Sequence, residues 1–310
     1  MPRPRISVVN ASLFIALHFT VLLAFVTGVS WTSLAIALGS YYLRMFAVTA
    51  GYHRYFAHRA FKTGRVFQFL LAVLAETSVQ KGVLWWAANH RHHHRYSDQP
   101  EDIHSPARKG FWWSHVGWIL ATDYEATNLS AIRDFARYPE LVWLNRYFLV
   151  PPLVGAGLLF AFGGLPWLVW GGLIPTIALW HGTFFINSLT HIVGQRRYLT
   201  TDMSRNSFLL AIVCCGEGWH NNHHYHQNTA NQGWFWWEVD FTFYALKALS
   251  WVGLVWDLRR PPEATRLAFT RYTDAQKAQL RAESRYGMFL PQPPPAEPEV
   301  GMLEPARQAG

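Results

Sequence analysis

Apolar residues are concentrated in two long blocks that carry no charge. Residues 6–43 and residues 147–195 contain no Asp, Glu, Lys or Arg. At about 1.5 Å per residue, a straight helix of either length would exceed a hydrocarbon core roughly 30 Å thick, and either block is long enough to cross it twice. Each block therefore predicts a hairpin of two membrane-spanning helices.

Backbone-breaking residues mark a turn within each block. Gly28 lies in the sequence Thr-Gly-Val-Ser of the first block, and Gly163-Gly164-Leu165-Pro166 lies in the second. Trp31 and Trp167 beside these turns are typical of membrane interfaces. We therefore predict four spans, at residues 8–28, 32–52, 147–163 and 166–188.

Two further apolar stretches are interrupted by charged residues. Residues 66–86 contain Glu76 and Lys81, which would be costly at the centre of a bilayer, so this stretch predicts an interfacial or protein-buried helix rather than a fifth span. Residues 232–256, rich in Trp, predict either a helix at the level of the lipid headgroups or one packed against the rest of the protein. The Pro-rich residues 284–310 predict a disordered tail.

Composition agrees with a membrane protein. Hydrophobic residues make up 51% of the 310 positions and charged residues only 15%, against roughly 25% in soluble domains. None of the 27 Lys and Arg residues lies at a hairpin tip, so the positive-inside rule places both termini in the cytoplasm. The predicted fold is an all-α membrane protein of one domain, residues 1–283. Its four transmembrane helices form two hairpins, and a cytoplasmic helical cap covers residues 53–146 and 189–283; we expect it in the bacterial cytoplasmic membrane.

Nine of the 15 histidines fall into a recurring pattern on the predicted cytoplasmic side. Neutral imidazole is the commonest metal ligand in proteins, and because a structural zinc ion takes four ligands, nine imidazoles suit two ions. The cap is therefore predicted to hold a histidine-rich di-metal site. The nine, in the sequences HRYFAH, HRHHH, NSLTH and HNNHH, are His53, His58, His90, His93, His94, His191, His220, His223 and His224.

Helix geometry selects these histidines from crowded runs. At about 100° per residue, the spacing HxxHH places its three histidines on one arc that faces a single point, while His92 and His226 point away from their arcs. His53 and His58 are five residues apart, about 140° on a regular helix, so they can share a face only if the helix ends or bulges between them.

The other histidines are assigned no metal. His18 and His181 lie within predicted spans and receive no role, and His104 and His115 are interpreted as structural. Adjacent Cys214 and Cys215 are interpreted as reduced core residues. The ligand types alone suit iron, zinc or copper, and two adjacent redox ions would indicate oxygen chemistry.

Five sequence motifs together resemble those of the membrane-bound fatty acyl desaturases of the stearoyl-CoA (Δ9) type. They are HRYFAH, HRHHHRYSD, DIHSPARKGFWWSHVGW, NSLTH and GEGWHNNHH. The resemblance runs from about Thr49 to Asp257. It implies two iron ions held by the nine histidines, with Asn187 holding a water near one iron. It further implies that O₂ and two electrons remove two hydrogens from a methylene pair and leave a cis double bond.

An alkyl chain offers no acidic proton, so a metal oxidant has to begin such a reaction, and the position of the chain decides the product. We expect a narrow apolar tunnel between the second span and the cap, lined by Tyr41, Met45 and Trp180. The alternative is that these three side chains serve ordinary packing between spans.

The acyl carrier is less well indicated than the acyl chemistry. The resemblance predicts acyl-CoA, but Ala88-Asn89 stands where the animal enzymes carry an Arg-Asp pair for the CoA headgroup, and Ala121-Thr122-Asp123 stands where they place a basic pair. Ile103 also departs from the common sequence DPH. An acyl lipid or an acyl-carrier protein therefore stays open as an alternative.

Electrons are expected from a separate protein. The sequence has no C-x-x-C-H haem site, no four-cysteine cluster and no GxGxxG following a strand, so we expect a donor of the ferredoxin, cytochrome b5 or flavin reductase type. No motif indicates a nucleic-acid partner. The rival enzyme is a membrane hydroxylase with the same di-iron core. A rival of another class is a metal transporter, whose ligands would line a path through the spans instead of clustering on one face.

Overall fold

The computed structural model describes residues 4–285 and is mostly helical. Its longer helices are Val8–Phe19, Trp31–Phe46, Arg65–Glu76, Val83–Tyr96, Pro139–Arg146, Val150–Trp167, Ile174–Ser188, Phe208–Val213, His220–Tyr225, Phe241–Trp251 and Asp274–Arg285. Three segments are π-helical, Ala47–Ala57, Trp113–Gly117 and Leu168–Leu173. Short helical turns are Thr20–Leu23, Ala24–Thr27, Pro106–Lys109, Trp118–Leu120, Thr122–Tyr124, Leu129–Ile132, Arg133–Ala136, Leu189–His191, Glu263–Arg266 and Ala268–Arg271.

Three helical runs are long and apolar enough to cross a membrane. They are Val8–Thr27, Trp31–Ala57 and Val150–His191. The first two begin where the first predicted hairpin has its spans, although the second run extends five residues past the predicted end at residue 52. Large apolar side chains on the first run and at the start of the second are exposed, among them Phe19, Phe25 and Trp31, as expected for surface that faces lipid.

Both predicted turns contain a glycine in a left-handed conformation. Gly28 has φ 69°, and Ser30 caps the following helix by accepting a hydrogen bond from the Ser33 amide at 3.0 Å. Gly164, within the 42-residue run, has φ 61° and ψ −156°, a region essentially restricted to glycine. The run is therefore interrupted at Gly164, where the sequence predicted the turn of the second hairpin.

The apolar helices pack closely where side chains are small. A Cβ atom at Gly171 would lie 2.9 Å from Cδ2 of Leu159 and 3.0 Å from Cγ2 of Ile36. The hydroxyl of Ser40 donates to the Gly171 carbonyl at 2.5 Å. The segments on either side of Gly164 thus pack against one another and against the helix that begins at Trp31.

Residues 66–86 form two helices rather than one. Arg65–Glu76 and Val83–Tyr96 are separated by a loop in which Val79 and Lys81 have positive φ. The Val83 amide donates to Oε1 of buried Glu76 at 3.0 Å, which joins the end of the first helix to the start of the second. The expectation of a protein-buried position is met by Glu76, while the expectation of a single helix is wrong.

The predicted helix over residues 232–256 is also shorter than expected. Only Phe241–Trp251 is helical, because Glu238 and Asp240 before it are buried and accept from Arg197 and Arg54, respectively. Asp240 also caps this helix through the Phe243 amide at 2.9 Å. The acidic residues therefore belong to the packed interior and not to the headgroup level.

The apolar core is centred on the buried second half of the Trp31–Ala57 run. Met45, Tyr52 and Phe56 are fully buried there, and the same core extends to Val255. A two-stranded antiparallel sheet, Lys62–Thr63 with Val255–Trp256, connects the end of this run to the C-terminal part of the chain. The single-domain boundary at residue 283 stays a prediction.

Most of the predicted disordered tail, residues 286–310, lies outside the described residues. Its first two positions do not: Ser284 and Arg285 complete the helix Asp274–Arg285. The Arg196 amide donates to the Ser284 hydroxyl at 2.9 Å, so the helix continues past the predicted start of the tail at residue 284.

Candidate metal centre

A π-helix delivers the first two histidines of the pattern. Ala47–Ala57 is π-helical, and the His58 amide donates to the His53 carbonyl at 3.1 Å, an i→i+5 bond. Residues five apart are thereby brought together, with ring centroids of His53 and His58 4.8 Å apart. Of the two alternatives that the spacing left open, a helix end or a bulge between these histidines, the structure has the bulge.

The second group comes from the regular helix Val83–Tyr96, which carries His90, His93 and His94 in its last two turns. His191 ends the turn Leu189–His191, directly after the helix Ile174–Ser188. His220–Tyr225 is a short helix that carries the last three histidines. Four separate segments of the chain therefore meet at one place.

The nine histidines form two adjacent clusters. The ring centroids of His94 and His224, one from each cluster, are 4.4 Å apart. Within each cluster, one nitrogen of every ring lies within 4.8 Å of all the others. The five-histidine cluster contains His53, His58, His90, His94 and His223, and the four-histidine cluster contains His93, His191, His220 and His224.

This division corrects the expectation that each HxxHH arc faces one point. His93 lies in the four-histidine cluster although His90 and His94 lie in the other, and His223 is separated from His220 and His224 in the same way. Neighbouring histidines on a helix diverge by about 100°, so one arc reaches two adjacent positions. Each triplet therefore contributes to both clusters.

The distances between nitrogens match those of ligands around a metal ion. Imidazole binds zinc at about 2.0–2.1 Å, and ligands at right angles at that distance are separated by about 3.0 Å. The Nε2 atoms of His53 and His223 lie 3.0 Å apart, those of His58 and His90 2.9 Å, and those of His191 and His220 3.1 Å. In addition, Nε2 of buried His224 has no hydrogen-bond partner in the described part of the chain. The donor set therefore fits two metal ions.

The protonation state also suits metal binding. Burial lowers the pKa of His90, His94 and His223 well below the usual value for histidine, and the neighbouring imidazoles lower it further. These rings are therefore neutral at physiological pH, which is the form that binds metal.

Four of the nine rings are oriented by carboxylates. Each uses Nδ1 for this contact, so Nε2 is left for a metal, the arrangement that fixes the tautomer of metal-binding histidines. The four contacts are His53 with Glu217 at 2.5 Å, His93 with Asp102 at 3.1 Å, His191 with Asp98 at 2.9 Å and His224 with Asp202 at 2.6 Å.

Sequence reasoning missed the role of these four acids. Asp98, Asp102 and Glu217 lie in the sequence motifs RYSD, DIH and GEG. These motifs adjoin the histidine motifs, so the sequence contained a signal for three of the four acids. Asp202 lies in none of the recognised sequence motifs, and only the fold brings it to His224.

The acids are ionised despite their burial. Burial alone would raise the pKa of Asp202, but the neighbouring His224 holds that pKa well below its usual range. For Asp98, the opposing effect comes from His191, and for Asp102 it comes from His93. For Glu217 it comes from His53 and Arg54, and the Arg54 guanidinium donates to Oε1 of Glu217 at 3.0 Å.

A cavity of about 400 Å³ adjoins both clusters. Its wall includes His53 and His90 of the five-histidine cluster and His93 and His220 of the four-histidine cluster. Such a volume is typical of pockets for small molecules. The rest of the wall includes side chains from the first helix, among them Phe14 and Leu17.

Two of the three residues predicted for a substrate tunnel line this cavity, as does Asn187. Met45 and Trp180 contribute to the wall, and the Trp180 indole donates to the Ser78 carbonyl at 2.8 Å. Tyr41 does not contribute to the wall, because its hydroxyl is directed to the Val213 carbonyl at 2.9 Å. The assignment of Tyr41 is therefore corrected.

Histidines outside the pattern occupy other positions. Nε2 of His92 lies 2.9 Å from the Glu101 carbonyl, and both His92 and His226 lie outside the two clusters. His104 stacks on His93 with ring centroids 4.2 Å apart and lines the cavity. His18, His181 and His115 form a separate chain of contacts.

Comparison with known proteins agrees with the geometry of this centre. The fatty acid desaturase family matches residues 29–251, more than half of the chain. The chain belongs to the fatty acid desaturase family. It is therefore an oxidoreductase of the desaturase type, with histidine clusters that can bind metal.

Relatives with different carriers are similarly close to this family member. It is 36% identical over 259 residues to a sn-1 stearoyl-lipid 9-desaturase of Synechocystis, covering 81% of this chain and 79% of the relative. It is 36% identical to the Delta-9 acyl-lipid desaturase 1 of Arabidopsis thaliana, covering 84% and 86%. It is 35% identical to an acyl-CoA 5-desaturase of Anemone leveillei, covering 76% and 74%. Acyl-lipid and acyl-CoA desaturases therefore both occur among these relatives, and the acyl-CoA carrier predicted from the sequence stays a prediction.

Proposed function

We propose that this protein is an O₂-dependent fatty acyl desaturase that introduces a cis double bond, at the Δ9 position, into a saturated acyl chain. The observation that carries the proposal is the apolar cavity whose wall includes ligands from both histidine clusters. In balanced form, one methylene pair, O₂, two electrons and two protons would give one double bond and two water molecules.

The nine histidines would hold two iron ions, with Asn187 holding a water near one of them. Iron at these positions would supply the oxidising chemistry that an unactivated methylene group requires. The protein itself would exclude bulk water with the apolar wall and fix the rings through Glu217, Asp98, Asp102 and Asp202. Met45 and Trp180 would help to hold the acyl chain against these clusters, so that one carbon pair lies next to the metals.

We infer that the acyl chain is carried on a membrane lipid, with acyl-CoA as the alternative. Two relatives with broad coverage bear the names of acyl-lipid 9-desaturases. Residues of the first apolar helix, Leu13, Phe14 and Leu17, line the cavity, which suits a substrate that arrives from the bilayer. The absence of the Arg-Asp pair before HRHHH also argues against a CoA headgroup site at Ala88-Asn89.

The proposed topology has four spans with both termini in the cytoplasm. Support comes from the interruption at Gly164 in a run whose 42 residues would extend about 63 Å as a straight helix, twice the thickness of a bilayer core. The cap over residues 53–146 and 189–283 would then receive electrons from a separate donor on the cytoplasmic side.

Expression in a host that lacks its own desaturase tests the proposal. We expect new cis-monoenoic fatty acids by gas chromatography and mass spectrometry, and about two irons per purified chain. His93→Ala is expected to abolish the product and to lower the iron content, since His93 lies in the four-histidine cluster. His92→Ala is the matched control from the same helix and is expected to retain both.

Separate assays distinguish the carriers and the rival functions. Purified protein with an electron source should desaturate stearoyl phospholipid in vesicles and leave stearoyl-CoA unchanged; the reverse would establish the CoA carrier. Oxygenated chains in place of monoenes would show a hydroxylase. Metal-free protein with full activity would contradict the metal centre altogether.

A further inference from the structure

The two histidine clusters differ in the number of carboxylates behind their ligands. In the four-histidine cluster, three of four rings have an aspartate on Nδ1, the contacts to Asp98, Asp102 and Asp202. In the five-histidine cluster, only His53 has such a partner, Glu217. The carboxylates are therefore distributed unequally between the two clusters, although the histidine spacing in the sequence does not distinguish the clusters.

The net charge around the clusters is also unequal. Glu217 is paired with Arg54, which is 1% exposed and also contacts Asp240 at 2.9 Å. Among residues 4–285, the ion pairs of Asp98, Asp102 and Asp202 are formed with histidines and not with Lys or Arg. The four-histidine cluster thus lies beside three buried anions that form no ion pair with Lys or Arg in this part of the chain, and a dication is strongly attracted to such charges in a buried site.

The rings of the five-histidine cluster are less firmly oriented. Nδ1 of His94 and Nδ1 of His223 are buried and lack a hydrogen-bond partner in the described residues. In the four-histidine cluster, Nδ1 of His220 is likewise buried and lacks a hydrogen-bond partner in the described residues. A carboxylate on the outer nitrogen fixes the ring and makes its other nitrogen more basic, and loss of such a partner typically costs 10–100-fold in metal affinity.

The four-histidine cluster therefore has two more carboxylates behind its rings, and the five-histidine cluster has one more imidazole. We propose that the four-histidine cluster holds its metal ion more tightly than the five-histidine cluster, although it has fewer protein ligands. The ion of the five-histidine cluster is then the first to leave when metal is withdrawn. This inference rests on the metal centre of the proposed function and adds an order of affinity to it.

Timed metal release tests the inference. Full-length protein in detergent is loaded with ferrous iron without oxygen, transferred to excess EDTA at pH 7, and sampled for iron per chain by mass spectrometry. We expect two phases, each of one iron. The fast phase belongs to the five-histidine cluster and the slow phase to the four-histidine cluster.

Substitutions that keep the shape but remove the charge assign the phases. Asp98→Asn, Asp102→Asn and Asp202→Asn should each accelerate the slow phase about tenfold or more and leave the fast phase unchanged. Glu217→Gln should accelerate the fast phase alone. Glu76→Gln is the matched control, because Glu76 is equally buried and contacts the Val83 amide instead of a histidine.

The possible failures are distinguishable. Release of both irons in a single phase, or acceleration of the fast phase by the three aspartate substitutions, overturns the order of affinity and leaves the metal centre intact. Fewer than two irons bound by the unaltered protein overturns both the inference and the metal centre. Size-exclusion chromatography identifies any variant that does not fold, and the two remaining aspartate variants then provide the same test.

Discussion

The carboxyl group of Glu76 is fully buried outside the metal centre. Its Oε1 accepts from the Val83 amide, while Oε2 is buried without a partner in the described residues. Burial raises the pKa of Glu76 from 4.5 to about 7, against a smaller opposing effect of the Val83 amide. A single acid at the junction of two helices therefore couples the stability of the fold to pH.

The sign of that coupling follows from the protons bound in each state. Between pH 4.5 and about 7, the folded protein keeps a proton on Glu76 that the unfolded chain releases, so this contribution is complete at low pH and is lost as pH rises through 7. Each pH unit in that interval is worth about 1.4 kcal/mol of unfolding free energy at most. Glu76→Gln keeps the bond to Val83 and cannot ionise.

We therefore expect the melting temperature of Glu76→Gln, measured relative to the unaltered protein, to increase as pH rises from 5.5 to 7.5. Fluorescence-monitored unfolding in detergent measures the melting temperature of both proteins. Because both contain the same histidines, the effect of histidine titration cancels in the difference between the two melting temperatures. A difference that is constant across this range would show that Glu76 is already ionised at pH 5.5.

Three helical elements are joined by histidines that bind no metal in the proposed arrangement. Nε2 of His18 lies 3.0 Å from Nε2 of His181, and Nδ1 of His181 lies 3.0 Å from Nε2 of His115. Nδ1 of His115 continues to the Ser188 hydroxyl at 3.0 Å. This chain connects the first apolar helix to Ile174–Ser188 and to the π-helix Trp113–Gly117, which explains why polar side chains are retained within predicted spans.

Replacement of the central member tests this role. His181→Phe keeps an aromatic ring but leaves His18 and His115 without their partners, which should destabilise the protein by about 1–3 kcal/mol per group left unpaired. Iron content should stay unchanged, because His181 lies in neither cluster. His92→Phe, at a more exposed contact to one carbonyl, is the control and should unfold like the unaltered protein; loss of iron in His181→Phe would contradict a purely structural role.

At the scale of the whole molecule, the apolar helices and the histidine clusters meet at one cavity. Leu17 of the first apolar helix, Met45 of the second and Trp180 of the third run share its wall with metal-binding candidates from the cap. The proposed membrane half and the proposed cap therefore form one site between them. The topology decides from which side electrons and lipid can reach that site.

Cysteine labelling in sealed membrane vesicles checks the topology. The two natural cysteines are buried, so they should give little background. Val29→Cys, at the first hairpin tip, and Leu165→Cys, beside Gly164, should react with an impermeant maleimide from the side opposite the cytoplasm. Lys247→Cys, on an exposed face of the cap, should react only from the cytoplasmic side. Reaction of Val29→Cys and Lys247→Cys from the same side would refute the proposed arrangement.

The two glycine turns, and the need for a helix end or a bulge between His53 and His58, could be predicted because each depends on residues close in sequence. The position of Tyr41 could not, since its hydroxyl contacts Val213, 172 residues away. The same is true of the helices over residues 66–86 and 232–256. Their ends are set by buried Glu76, Glu238 and Asp240, which form contacts that local hydrophobicity does not encode.

By itself, the sequence determined the apolar helices, the nine histidines and the desaturase resemblance. The length of an apolar stretch, the spacing of histidines and a short sequence motif are all properties of neighbouring residues. Only the tertiary structure decided how the nine divide into clusters of five and four, since adjacent histidines on one helix diverge toward different positions. It alone also brought Asp202 to His224, across 22 residues, and left three acids beside one cluster and one beside the other. Affinity depends on that distribution, because charge acts through distance in space and not through separation along the chain.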